Sequence, residues 1–213
     1  MKTKTSPVES LEWRYATKKF DNTKKISHSD FKEILRTLQL APSSYGLQPF
    51  EFWVIEDETL RAELKERAFN QPQVTDASHL ILFLSKTDFA ESDIDKFIEL
   101  SQEVRDIPDE QAQQYAEMMK GAVLSKSTRD IEEWTSLQTY LVIGQTLKVA
   151  AEMGIDASPM EGFEPQKFTE HLKLEEKGLR PLAMIGLGYR SDEDATQHMA
   201  KVRKPQHELI KFL

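Results

Sequence analysis

Two short apolar runs, His79–Leu84 (HLILFL) and Leu182–Leu187, stand about a hundred residues apart, and the chain between them is dominated by helical patterning. Each run is too short for a buried helix and too uniformly apolar for a half-exposed strand, so each reads as a strand covered on both faces. Glu51–Ile55 is a third strand candidate. With so few strands and so much helix, the pattern predicts an α+β sandwich built on a small sheet.

The helices carry their own punctuation. Ser27-His28-Ser29-Asp30 is a capping signal for a helix reaching Leu40, with Phe31, Ile34, Leu35 and Leu38 at helical spacing. A charged helix covers residues 58–67, two more lie within 93–124 and break near Pro108, and another runs from about Asp130 to Met153, ending at the C-cap candidate Gly154. Trp134, Leu137, Leu141, Gly144 and Leu147 give that last helix an apolar stripe, which reads either as core or as an interface with a second copy. No repeat, low-complexity tract or linker appears, so residues 1–213 are expected to form one domain.

Chemistry concentrates in two segments. Arg14-Tyr15-Ala16-Thr17-Lys18-Lys19-Phe20 supplies fixed cations, and Ser43-Ser44-Tyr45-Gly46-Leu47-Gln48-Pro49-Phe50 supplies short hydroxyls and backbone N–H groups between Pro42 and Pro49. A phosphate with a polar chain needs such partners: an arginine fork grips it through two parallel bonds, and Gly46 lets backbone approach a flat ring. The ends of the chain are locally basic, with seven Lys or Arg against three acids in residues 1–25 and four against one in residues 201–213, although the formal net charge is -8. Either those charges are simply solvated or the two ends converge on one basic pocket. The overall acidity argues against nucleic-acid binding. Without cysteine there is no thiolate nucleophile or zinc site, and any redox chemistry must come from a bound cofactor.

The segments RYATKKFD (14–21), APSSYGLQPFEF (41–52), DASH (76–79), GIDASPMEGF (154–163) and KVRKPQ (201–206) together resemble the FMN-dependent nitroreductases, in particular the oxygen-insensitive NAD(P)H nitroreductases of enteric bacteria and their dihydropteridine-reductase relatives. The resemblance runs nearly end to end. It implies a three-layer α-β-α sandwich with a small mixed or antiparallel sheet, an intertwined homodimer whose C-terminal segment wraps onto the partner, and a tightly but non-covalently held FMN. By the same resemblance, Arg14, Lys201 and Arg203 contact the phosphate, with Tyr15 and Ala16 beside them, and Ala16 stands where the enteric enzymes have serine. Lys18, Asn70 and Gln73 fall at the pyrimidine edge of the flavin, where a second lysine is replaced by Gln73. Pro42, Ser43, Ser44, Gly46 and Gln48 bind the chain or ring edge, and the backbone of Pro159, Met160, Glu161 and Gly162 approaches flavin N5 and O4. Local chemistry alone makes that last segment a turn after a buried strand.

Tyr45, Asn70 and Tyr115, with Phe69 as a further candidate, are expected to line the substrate slot, where aromatic groups can sandwich a flat acceptor. The implied reaction passes a hydride from NADH or NADPH through flavin N5 to nitroaromatic or quinone acceptors by a ping-pong route, with no acid/base side chain required and no metal. Flavin or dihydropteridine reduction on the same scaffold, or non-catalytic flavin binding, are the alternatives. Gly186-Leu-Gly188 lacks the third glycine of a dinucleotide fingerprint and is assigned to a strand end. The five histidines show no paired ligand spacing, and His79 reads as a hydrogen-bonded structural residue. The N-terminus has no apolar leader and no run is long enough to span a bilayer, so the expected setting is the cytoplasm.

Overall fold

The computed structural model describes residues 6–213. Its chain order begins with α1 (Pro7–Trp13), closed at its start by a reciprocal Ser6–Glu9 capping box. Next comes α2 (His28–Gln39), whose Ser27 side chain accepts from the Asp30 N–H, as the capping signal predicts. β1 (Phe50–Ile55), α3 (Glu58–Arg67), α4 (Gln73–Asp76) and β2 (His79–Lys86) follow. α5 (Glu91–Arg105) and α6 (Asp109–Leu124) form an antiparallel excursion broken at Pro108, leading into the long α7 (Thr128–Glu152). β3 (Asp156–Met160), α8 (Pro165–Leu172), β4 (Leu179–Gly188) and α9 (Gln206–Leu209) complete the order.

The four strands form one antiparallel sheet in the order β1-β2-β4-β3. Both apolar runs lie at its centre, which is why neither alternates with polar residues. Ile81 and Phe83 of β2, with Ile185 and Leu187 of β4, face a cluster built from α2 and α7. Leu80, Leu82 and Leu84 face the opposite side, where α3, α4 and α8 contribute Leu64, Val74 and Phe168. The period of two along β2 thus divides its side chains between two helical layers, giving the expected α-β-α sandwich. A third cluster lies between α5, α6 and the start of α7, around Ile94, Ile98, Met119 and Trp134.

Two open expectations are narrowed. The sheet is wholly antiparallel, with one isolated parallel bridge, Ala16 to Ala157, outside the named strands. The apolar stripe of α7 is not simply core: Leu137 and Leu141 are exposed, while Val142, Ile143 and Ala150 on the opposite face are buried. Gly186 and Gly188 have a packing reason. A Cβ on Gly188 would stand 3.0 Å from the Phe20 ring and one on Gly186 3.1 Å from the Ala77 Cβ, so β4 is bare where the N-terminal segment and α4 cross it.

Candidate functional site

The segment after α1 is held in place by one buried carboxylate. Asp194 is 2% exposed. Its Oδ2 accepts from the Tyr15 hydroxyl (2.9 Å) and from the N–H groups of Lys18 (2.8 Å) and Lys19 (3.1 Å), while Oδ1 accepts from the Thr196 N–H (3.0 Å). Burial pushes the Asp194 carboxyl pKa up, but the donors from Lys18, Lys19, Tyr15 and Thr196 outweigh it and hold the group below the usual carboxylate range. Burial first, and then the bond to Asp194, raise the Tyr15 phenol well above its ordinary value.

A second buried acid, Asp156 of β3, grips Arg190 through Oδ1 (2.8 Å from Nε, 2.5 Å from Nη2) and takes the Arg190 N–H on Oδ2 (2.8 Å). The guanidinium carbon lies 4.3 Å from the Trp13 ring centroid and 4.6 Å from that of Tyr15. Cation–π contact therefore supports both aromatic residues from below. Sequence patterning missed all three supports. SDED in residues 191–194 looks like a solvated turn, and only the Asp194-x-Thr196 spacing of a local side-chain cap hints that Asp194 points inward.

On this scaffold sits a cavity of about 440 Å³, whose walls include Arg14, Tyr15, Ala16, Lys201 and Arg203. The basic ends of the chain converge here, as the second reading of their charge requires, although Lys2 and Lys4 lie outside the described residues. Lys201 Nζ donates to the carbonyls of Leu11 and Arg14, tying the C-terminal segment to the N-terminal one. Burial, and then the neighbouring guanidinium of Arg203, depress the Arg14 pKa; burial, Arg14 and Arg203 do the same to Lys201. The Arg14 Nε is buried with no hydrogen-bond partner. Mutually repelling cations and an unused buried donor are relieved together by a multivalent anion, so these residues fit a phosphate. Lys18 lies nearby in sequence with its backbone N–H fixed and its side chain exposed.

The other candidates fall into separate groups. Phe69 and Asn70 are consecutive left-handed residues (φ 53° and 57°), a strained turn after α3. That turn rests on the 159–162 segment: Gln71 Nε2 donates to the Gly162 carbonyl (2.6 Å), and a Cβ on Gly162 would lie 3.9 Å from the Phe69 ring. Phe69 is 65% exposed, whereas Gln73, opening α4, is 4% exposed with an unpartnered Oε1. Glu161 Oε1 accepts from Tyr140 of α7 (2.8 Å); burial and this bond push the Tyr140 pKa up to about 12.

Pro42–Gln48 is also strained, with Tyr45, Gly46 and Gln48 all at positive φ. Gln138 of α7 accepts from the Ser44 N–H (2.8 Å), Ser43 Oγ accepts from the Gln48 N–H (2.9 Å), and Gly46 backs onto Phe97 of α5. None of these residues lines the cation cavity. Tyr115 lies elsewhere again, in a cavity of about 410 Å³ with Arg105, Ile107, Gln111, Gln114 and Met118. Among the described residues no cluster of His, Asp or Glu has metal-binding geometry, and no helix is long and apolar enough to cross a membrane.

The fold is a three-layer α+β sandwich that carries a cation-lined cavity of about 440 Å³ and two loops with residues at positive φ. The chain belongs to the nitroreductase family, whose model matches residues 11–189. It is 33% identical over 215 residues to the Major NAD(P)H-flavin oxidoreductase of Aliivibrio fischeri, covering 97% of this chain and 98% of that protein. It is 36% identical over 200 residues to YfkO of Bacillus subtilis (strain 168), covering 88% and 90%. Among solved structures, an FMN complex from Exiguobacterium sibiricum 255-15 superposes with a TM-score of 0.84 at 25% identity, covering 98% of each chain.

Proposed function

We propose that this protein is an FMN-dependent NAD(P)H oxidoreductase of the cytoplasm that reduces nitroaromatic or quinone acceptors. The observation that carries the reading is the convergence of Arg14, Lys201 and Arg203 on one cavity, with the Arg14 Nε buried and unpartnered. FMN, when bound, supplies a ring nitrogen, N5, that takes a hydride from NADH or NADPH and passes two electrons to an acceptor in alternating, ping-pong half-reactions.

The chain's own residues bind and orient. Arg14, Lys201 and Arg203 hold the phosphate, with the backbone of Tyr15 and Ala16 beside it. Lys18, Asn70 and Gln73 would meet the polar edge of the ring, where Lys18 would offer a positive charge to the electron density gained on reduction. The backbone from Pro159 to Gly162 would meet the N5 edge of a bound flavin, held by the Phe69–Asn70 turn that rests on Gly162. Because Pro42–Gln48 stands apart from the cation cavity, we assign Ser43, Ser44, Gly46 and Gln48 to the facing half of a site completed across a homodimer. Tyr45 and Phe69 then border an open slot that excludes water from one face of a flat acceptor. Tyr115 contributes only if its α6 cavity opens onto that slot.

An anaerobic absorbance scan tests the reading. Purified protein should show a flavin band near ~450 nm that bleaches with one equivalent of NADH or NADPH and returns on adding menadione or a nitrobenzoate. A protein that stays colourless after incubation with FMN, or a band that neither nucleotide bleaches, overturns it. The likeness to a flavin oxidoreductase supports a second acceptor class, free flavin, recognised by anaerobic bleaching of excess riboflavin by excess NADH or NADPH with a catalytic amount of the protein and not without it.

A further inference from the structure

We infer that Asp194 is the positioning residue of the phosphate cradle: one buried carboxylate sets the spacing between the two chain segments that carry the cradle's cations. The inference rests on the proposed FMN site and concerns a residue that takes no part in binding the cofactor directly.

The carboxylate divides its bonds between two walls. Oδ2 holds the N-terminal wall, through the Tyr15 hydroxyl and the Lys18 and Lys19 N–H groups. Oδ1 holds the start of the C-terminal wall, through the Thr196 N–H. From Thr196 the chain turns through Gln197 and Met199, both at the cavity, and reaches Lys201 and Arg203. From Tyr15 it steps back one residue to Arg14 and forward three to Lys18. The two walls thus meet at one anion, which none of the cations needs to touch.

Charge makes the arrangement specific. A neutral amide at position 194 presents one acceptor and one donor to four donors, so at least one N–H or O–H faces another donor in a site that is 2% exposed. Arg14, Lys201 and Arg203 repel one another; burial first, and then that repulsion, depress the Arg14 and Lys201 pKa values, and the Lys201 bonds to the Leu11 and Arg14 carbonyls tie the walls only at their far end. Asp194 holds against that repulsion while its own charge is spent on interior donors, leaving the cavity basic. Lys19–Glu193 and the Ser191 N–H to Lys19 carbonyl bond (2.9 Å) reinforce the seam, but the Lys19 and Glu193 side chains are largely exposed and contribute little.

The test compares flavins with and without phosphate. Apoprotein is titrated with FMN and with riboflavin by quenching of flavin fluorescence, for wild type and for Asp194→Asn. Wild type should prefer FMN, and Asp194→Asn should lower that preference by about tenfold, since the phosphate contacts alone lose their alignment. A residue that merely supports the fold would weaken both flavins in proportion, and an unchanged FMN/riboflavin ratio therefore overturns the inference. Should Asp194→Asn fail to fold, Tyr15→Phe removes a single donor from Oδ2 and should move the same ratio in the same direction by a smaller factor; an unmoved ratio there also overturns it. If wild-type protein binds neither flavin, the FMN reading itself falls, an outcome distinct from an unchanged ratio in a protein that binds FMN.

Discussion

His79 shows how a single side chain can be structural and still make the fold respond to pH. Its ring stacks on Phe31 with centroids 3.7 Å apart, and Nδ1 lies 3.0 Å from Ser78 Oγ, which also accepts the Ile26 N–H (2.9 Å). With Ser78 accepting from the backbone, its hydroxyl proton is free to point at Nδ1, so the neutral ring is the form that fits. Burial, then the buried Arg61, lower the pKa; Lys25 adds to the effect and Glu56 opposes it. A histidine depressed in the folded state stabilises the protein above its unfolded value of about 6.5, and that contribution is lost as pH falls from there through the folded pKa. The urea midpoint of wild type should therefore drop between pH 7.5 and pH 5.5 by more than that of His79→Phe, which keeps the stacked ring and removes the titration. Equal drops in the two proteins would refute the linkage. The same residue illustrates what sequence can reach: DASH at the head of an apolar run reads correctly as a hydrogen-bonded structural histidine, but Arg61, whose guanidinium donates to the carbonyls of Ile55 (2.7 Å) and Ala77 (2.8 Å), gives no local signal that it is buried.

At the scale of elements, local chemistry predicts what it controls. α7 ends where Gly154 adopts φ +69°, and the Ile155 N–H reaches back to the Ala150 carbonyl (2.8 Å) while the Gly154 N–H bonds that of Ala151 (3.0 Å). That closure turns the chain directly into β3 and so into Pro159–Gly162. Nothing lies within 4 Å of a Cβ built on Gly154, so Gly154→Ala should cost only the backbone strain, about 1 kcal/mol, read as a lower denaturation midpoint without loss of flavin. No change, or a loss several times larger, would contradict this account of the turn. α2, α3, the α5–α6 break and the two central strands were legible for the same reason, since caps, prolines and buried runs are written into adjacent residues. α4 and α8 were not: α4 is a single turn, and α8 is only eight residues long although Pro165 and Phe168 mark it, and both are fixed by packing on the sheet through Val74 and Phe168. The site divides likewise. Its cations could be named from motifs, whereas their convergence depends on Asp194 and Arg190, whose links to Tyr15 and Asp156 span more than thirty residues of sequence.

For the whole molecule, the unanswered surface is on α7. Leu137, Tyr140, Leu141 and Gly144 share one helical face; Leu137 and Leu141 are 58% and 54% exposed, and a Cβ on Gly144 would meet nothing within 4 Å. An apolar stripe with a small residue at its centre lets a second helix approach closely, and a two-fold arrangement would bring the same face of a partner against it. The same helix positions Gln138 against Ser44 and Tyr140 against Glu161, so whatever packs on α7 also fixes the strained Pro42–Gln48 loop and the 159–162 segment, which are assigned to opposite halves of the site. Beyond Met199 every residue is exposed, including Leu209, Ile210 and Phe212, which is the expected state of an arm whose apolar side chains have their seat on another copy. Assembly and cofactor binding should then fail together. Fully burying a leucine is worth roughly 1.5–3 kcal/mol; Leu137 and Leu141 each have a little over half of that left to bury, and a symmetric interface counts each twice, so Leu137→Glu combined with Leu141→Glu should remove most of the association energy while leaving the monomer's core untouched. Light scattering coupled to size exclusion should give wild type twice the chain mass and the double variant once, with the variant also losing its flavin absorbance. A wild-type monomer that retains flavin, or a monomeric variant that binds FMN as tightly as wild type, would place the complete site within one chain and return Pro42–Gln48 to a purely structural role.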